Sequence, residues 1–386
     1  MTSVGLRFVA RQSSNRLLLS LVMAALVSCC APARPARVPP PAQPVRGILP
    51  LLTWLGEFTR PAGATYPTMS NSDGFGSVSG LVRDAQSGQW VGVIDDREHS
   101  RVAWLTIDYT GGALHVAPTR MMPLRPGPGV PERVVTMADL ESVVALPDGT
   151  FLLNEEGHIT KGEVWPPVIL HATREGRVTD IIPFPKPFRL RLDQTQGVRD
   201  NQGFESLALT PKGHLIAGLE QPLIEDGAPT SFDQGGRGRL IEFIPRGRHW
   251  RPGRQWRYPI DPTPRVPGFS AICEDGENGL VDLLALTDTT LLSLERACVQ
   301  DPSTRETANA IQIFVVELDR GVARKSLVLN LSTLTGHLSP ALERLDNFEG
   351  LAFGPPGPTG GRTLLVMSDD NFRASQKTAF LLFGLR

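Results

Sequence analysis

The feature that most constrains this chain is a short pattern written five times. An acid opens a brief apolar strand, a turn follows, and a second apolar strand closes on acids. The clearest copy runs from Asp346-Asn347-Phe348-Glu349-Gly350-Leu351-Ala352-Phe353 to Leu364-Leu365-Val366-Met367-Ser368-Asp369-Asp370. Earlier copies open at Glu141 and Glu205, and two divergent ones at Ser79 and Asp282. Successive openings are 62, 64, 77 and 67 residues apart. A period this long holds four short strands, which fits the blade of a β-propeller better than the shorter repeat of a solenoid.

The second copy shows the four strands as Glu141 to Leu146, Phe151 to Glu155, Val168 to Ala172 and Val178 to Phe184. Pro147-Asp148-Gly149 and Arg174-Glu175-Gly176 supply turns that tolerate positive φ. Thirty-eight glycines and 34 prolines between short apolar runs describe many strands joined by turns, with no long stretch of helical periodicity. The expected fold is therefore all-β, a propeller of five four-stranded blades. The last copy lacks a fourth strand, and Leu52 to Thr59 lies ahead of the first copy without a blade of its own. An N-terminal strand that joins the C-terminal blade closes the ring and removes an open edge. The 77-residue interval has room for a degenerate sixth blade or for a surface insertion over Ile224 to Gly238.

In a hairpin, the start of one strand and the end of the next lie at the same end. Glu141 therefore comes near Glu155 and Glu156, Glu205 near Glu220, Asp282 near Glu295, and Glu349 near Asp369 and Asp370. With the first strand innermost, the acids gather around one mouth of the central channel. The candidate cation ligands are Glu141, Glu205, Asp282 and Glu349 from the strand openings, with Asp95, Asp96, Glu155, Glu220, Glu295 and Asp369 from the ends of the second strands. Glu141, Glu205 and Glu349 are also the catalytic candidates. Such a density of carboxylate needs an offset, either bound cations or arginine partners. An all-oxygen site suits a hard divalent cation, Ca²⁺ above all. Arg97, Arg296 and Arg373 stand close to the acids and suit an anionic substrate such as a phosphate ester. They serve equally well as structural ion-pair partners.

Residues 1 to 28 carry Arg7, Arg11 and Arg16, no acid, and an apolar run from Leu17 to Val27 too short for a comfortable membrane span. This reads as an export signal. Leu26-Val27-Ser28-Cys29 matches the bacterial lipoprotein cleavage box, with Cys29 the lipidated residue. Residues 29 to 49, rich in Pro and Ala, read as a tether, and residues 50 to 386 as the propeller. The expected place is the periplasmic side of the cell envelope, held to the membrane by the lipid alone, as a monomer. Without the leader the chain has 36 basic against 40 acidic residues, which argues against nucleic-acid binding. Cys273 and Cys298 flank the fourth hairpin and, in an exported chain, are expected to pair as a disulfide.

No Gly-x-Ser-x-Gly elbow, His-Glu-x-x-His, phosphate loop or Arg-His-Gly motif is present. His99 and His158 follow second strands and could reach the mouth, whereas Ser142 and Ser206 alternate away from the acids and read as structural. The repeated Phe-Glu-Ser/Gly-Leu-Ala opening, the Leu-Leu-Val-Met-Ser-Asp-Asp-Asn-Phe strand and the lipobox together resemble the bacterial phytase-like family, the "esterase-like activity of phytase" domain. That resemblance implies a propeller whose acids carry phosphoric-ester or related hydrolase activity. The other readings of the same mouth are a non-catalytic envelope binding module and a Ca²⁺-dependent lactonase.

Overall fold

The computed structural model describes residues 52–66, 74–334 and 336–386. The export signal, Cys29 and the Pro-rich tether lie outside the described residues. The regular structure is almost wholly strand, and no helix among the described residues is long and apolar enough to cross a membrane.

Five antiparallel four-stranded units follow one another. The first comprises Val78–Arg83, Trp90–Ile94, Arg101–Thr110 and Ala113–Pro123. The second comprises Leu140–Ala145, Phe151–Glu155, Val168–Ala172 and Arg177–Pro183. Phe204–Leu209, Leu215–Leu219, Gly236–Arg246 and His249–Ile260 form the third. Gly279–Ala285, Thr290–Gln300, Thr307–Asp319 and Val322–Asn330 form the fourth. The fifth takes Phe348–Phe353, Thr363–Ser368 and Lys377–Leu385 from the C-terminal part, and its outer strand is Leu52–Pro61. That strand pairs from Leu52 with Leu385 to Pro61 with Lys377, so the closure expected from the unpartnered N-terminal segment is the one observed.

The five innermost strands touch one another in cyclic order, and an apolar cluster fills each gap between neighbouring units. The cluster between the fifth and first units, which includes Phe75, Leu81, Leu105, Met367 and Phe380, closes the circle. Both faces of each sheet are therefore buried, which is why the inner strands read as continuous apolar runs rather than alternating ones. The long third interval holds no further unit: Ile224–Asp226 forms a short 3₁₀ turn, and Gly236 already begins a strand of the third blade. A small hairpin, His158–Thr160 with Glu163–Trp165, decorates the second blade and was not visible in the repeat.

Each innermost strand carries a β-bulge at the same place. Register shifts fall between Val78 and Gly80, Leu140 and Ser142, Phe204 and Ser206, Leu280 and Asp282, and Phe348 and Gly350. The extra residues are Ser79, Glu141, Glu205, Val281 and Glu349. A bulge leaves its extra residue outside the ladder and re-aims its side chain, here toward the mouth.

This register corrects the fourth copy. Val281 occupies the acid's position, and Asp282 is one place further along, in the column of Gly80, Ser142, Ser206 and Gly350. That column crowds the axis: a Cβ on Gly80 would lie 2.7 Å from Ser142 Cα, and one on Gly350 would lie 2.8 Å from Ser79 O. Asp282 fills the central space. Its Oδ2 accepts the Leu351 N–H at 2.7 Å, and its Oδ1 accepts its neighbour Leu283's N–H at 2.8 Å and faces Ser142 Oγ at 3.5 Å. Ser142 Oγ in turn accepts the Leu207 N–H at 3.1 Å, and Ser206 Oγ donates to Gly218 O at 3.4 Å, so both serines are structural as expected. Asp282→Ala strands the buried Leu351 N–H and is expected to cost roughly 2–4 kcal/mol in urea unfolding while leaving cation affinity at the mouth intact.

Candidate functional site: an acidic mouth

On each second strand, the residue that follows the partner of the position just before the bulge lies at the same mouth as the bulge. In four blades its N–H is tied to the carbonyl of the residue two before the bulge: Asp95 to Ser77, Glu156 to Asp139, Glu220 to Gly203, and Asp369 to Asn347. The fourth blade places Arg296 there, opposite Gly279. The mouth therefore gathers Asp95, Glu141, Glu156, Glu205, Glu220, Glu349 and Asp369, with one guanidinium among them.

Two groups of three carboxylates converge further. One oxygen from each of Asp95, Asp139 and Glu141 lies within 4.8 Å of the others, and the same holds for Glu141, Glu156 and Glu205. Oxygens sharing one Ca²⁺ at about 2.4 Å stand at most about 4.8 Å apart, so both groups meet the limit. Glu141 belongs to both. Asp139 is wholly buried, its Oδ1 has no hydrogen-bond partner among the described residues, and its Oδ2 faces Arg97 at 2.5 Å. The Asp139 carboxylate also lies against that of Asp95, so its burial is offset by a proton held between the two or by a cation that displaces it. Hard oxygen donors, their spacing and this orphaned atom together fit a divalent cation.

The electrostatics agree. Burial, then the neighbouring carboxylates, push Asp95, Glu141, Glu156 and Glu205 well above the usual carboxylate range. For Glu141 the neighbours are chiefly Glu205 and Asp95, and for Glu205 they are Glu156, Glu220 and Glu349. Burial pushes Glu220 up to about 8 against the pull of Arg296, and burial with Glu349 pushes Asp369 up to about 8. Burial opposes the charge on Arg296, but Glu349, Glu220 and Glu205 outweigh it, and its pKa is raised.

Several sequence-selected residues lie elsewhere. Glu155 turns away from the mouth: its Oε2 accepts the Asp139 N–H, its Oε1 accepts the Gly157 N–H at 3.2 Å, and His158 Nδ1 stands 3.6 Å off. Glu156 takes the place expected for it. Glu295 is likewise one residue short of the ring. It is bound by Lys325, by Tyr258 OH at 2.8 Å and by Asn278 Nδ2 at 2.8 Å, and it serves as a buried structural anion. Asp96 is held by Arg101 and by the Glu98 N–H at 3.2 Å, outside the cluster. Asp370 accepts the Ser77 and Phe372 N–H groups, both at 3.0 Å, and the Thr378 hydroxyl.

Arg296 is buried against Glu349, so it offsets charge and is not free for a substrate. Arg97 is 42% exposed at its side chain, between Asp139 and Asn201, and Arg373 is exposed in the turn after Asp370. His99 is exposed, whereas His158 is buried behind Asp139, its ring stacked on Trp165 at 5.2 Å. Cys273 and Cys298 form the expected disulfide, 25 residues apart, at the edge of the mouth.

Sequence reasoning missed Asp139, and of Glu155 and Glu156, both brought near Glu141 by the hairpin, it took Glu155 as the ligand. Both were within reach. Asp139 aligns with Ser77, Gly203, Gly279 and Asn347 once the bulges are in register, and Glu156 aligns with Asp95, Glu220 and Asp369.

No curated protein matches the chain. Among solved structures, an endo-arabinase from Bacteroides thetaiotaomicron is similar at 11% identity over 85% of this chain and 97% of its own, with a TM-score of 0.43. A gluconolactonase from Xanthomonas campestris is similar at 12% identity over 91% and 99%, with a TM-score of 0.37. The family profile described as phytase-like, esterase-like activity of phytase, matches residues 73–372, which takes in every acid of the mouth and the whole of four blades. The chain is a member of the phytase-like family.

Proposed function

We propose that this is an exported, lipid-anchored hydrolase whose acidic mouth holds Ca²⁺ or a similar divalent cation and acts on a small anionic ester, a phosphate ester in the first instance. The observation that carries this reading is the wholly buried Asp139, whose Oδ1 lacks a donor among the described residues, beside Asp95 and Glu141. The family's description, esterase-like activity of phytase, supports the reaction class.

A bound divalent cation supplies Lewis-acid polarisation and neutralises the carboxylates that hold it. The chain's own residues do the rest. Glu141 with Glu156 and Glu205, or with Asp95 and Asp139, would hold the cation at the strand ends. Glu349, held by Arg296 and outside both triads, is the carboxylate we assign to accept a proton from the attacking water. Arg97, half-exposed and steadied by Asp139 and Asn201, orients an anionic group at the rim.

Hydrolysis of a chromogenic phosphodiester is expected to vanish with chelator, to return with Ca²⁺, and to fall by about 100-fold or more in Glu205→Gln. Purified protein without stoichiometric cation and without turnover would favour a binding module instead. Turnover of lactones but not of phosphate esters would assign the mouth to a lactonase.

A further inference from the structure

The fold separates charge between its two ends. The hairpin Gly236–Arg246 with His249–Ile260 starts from the mouth side, so its turn at Gly247-Arg248 lies at the opposite end. Arg246, Arg248 and Arg251 are exposed there, on a hairpin that runs past its inner neighbour: Leu215, the first residue of the adjacent strand, already pairs with Phe243. The turn after Asp319, the residue before Thr363 and the residue after Leu385 place Arg320, Arg362 and Arg386 at the same end, also exposed. None of these six arginines makes an ion pair among the described residues. Asp84, Asp288 and Asp319 at this end are already paired with Arg174, Lys212 and Arg324, which leaves Asp108, Asp148, Glu175 and Glu317, with the carboxylate of Arg386 itself, as the opposing charge. The end away from the mouth is therefore basic, although the chain as a whole is nearly neutral.

Leu52 also lies at this end. It pairs with Leu385, whereas Pro61 pairs with Lys377 beside the mouth turn. The chain thus enters the propeller from its amino-terminal segment on the basic side. The aromatic residues of the hairpin do not form a stacking platform for bases, since Trp256 is buried and Trp250 is half-buried.

We propose that the basic end rests on an anionic phospholipid surface, so that the acidic mouth faces away from the bilayer. Arginines close to an anionic leaflet are attracted within a Debye length, while the mouth's carboxylates are repelled. The two effects turn the molecule the same way. This inference is independent of the hydrolase reading and survives if the mouth proves only to bind.

The test uses the chain from residue 29 onward, without the export signal and with Cys29→Ser and Cys30→Ser so that neither cysteine is acylated, and co-sedimentation with vesicles of about one-third phosphatidylglycerol in phosphatidylcholine at low salt. On that background Arg246→Gln/Arg248→Gln/Arg251→Gln is expected to weaken binding by roughly a hundredfold, about fivefold per arginine, with an unchanged thermal melt. Arg305→Gln, an exposed arginine at the mouth end, is expected to bind as the parent does. Equal binding by the triple variant, or an equal loss in Arg305→Gln, would overturn the proposal. Tighter retention of the parent by a single-stranded RNA oligomer than by the anionic vesicles would reassign the patch to nucleic acid and overturn it too.

Discussion

Glu141→Gln is expected to lower Ca²⁺ affinity by about 100-fold or more and, at the same time, to make the cation-free protein more stable by on the order of 1–2 kcal/mol. Both effects have one cause. Glu141 is shared by the two carboxylate triads, so the amide removes a charged ligand from both and relieves its repulsion with Glu205, Asp95 and Asp139. A purely structural acid gives the opposite sign for stability, because a buried paired carboxylate costs free energy when its partner is left alone. Asp139→Asn discriminates further: it touches one triad only and leaves Arg97 without its buried partner, so it is expected to lose affinity and stability together. Isothermal titration with Ca²⁺ and urea unfolding in chelator read the two quantities separately.

Raising the pH is expected to destabilise the cation-free protein and to do so much less when Ca²⁺ is present. Glu220 and Asp369 sit at about 8 in the folded chain, above their ordinary values of 4.5 and 3.8. Between those limits the folded state binds more protons than the unfolded state, so stability falls as pH rises. The contribution is fully present below about pH 4 and is lost as pH passes through 8. From about pH 5 to about pH 8.5 each of the two groups contributes a loss on the order of 4 kcal/mol, and together they lower Tm by roughly 10 °C. Glu220 and Asp369 lie outside both triads, so the cation acts through Asp95, Glu141, Glu156 and Glu205, which burial and mutual repulsion raise in the same direction. It binds their deprotonated forms, its hold strengthens as pH rises, and at a hundred times its Kd it restores about 2.7 kcal/mol. Thermal melts across this range, in chelator and in excess CaCl₂, give the comparison. Parallel pH profiles in the two buffers would contradict it.

The architecture was legible because the repeat is written in apolar strands that bury both faces, and because Leu52 to Thr59 had no partner other than the last blade. The convergence of acids was legible too, since a hairpin fixes which strand ends meet. The individual ligands were not. A β-bulge adds one residue to a strand without leaving a mark in its composition, and that single residue decides whether Asp282 or Val281 looks into the mouth. The same one-residue ambiguity exchanged Glu155 for Glu156 and Glu295 for Arg296, because side chains alternate along a strand. Register could have been set by the strings Val-Ser-Gly, Leu-Glu-Ser, Phe-Glu-Ser, Leu-Val-Asp and Phe-Glu-Gly, in which the apolar residue before the bulge is constant in kind. Asp139 lay before the repeat opening, and its role follows only from the carbonyl it offers to Glu156 and the space behind Glu141.

The most direct measurement is an anomalous difference map from crystals grown with a lanthanide or Mn²⁺ in place of Ca²⁺. The account predicts a peak bounded by oxygens of Glu141 with Glu156 and Glu205, or with Asp95 and Asp139. A map without density there, with those carboxylates met only by Arg97 and Arg296, would contradict it.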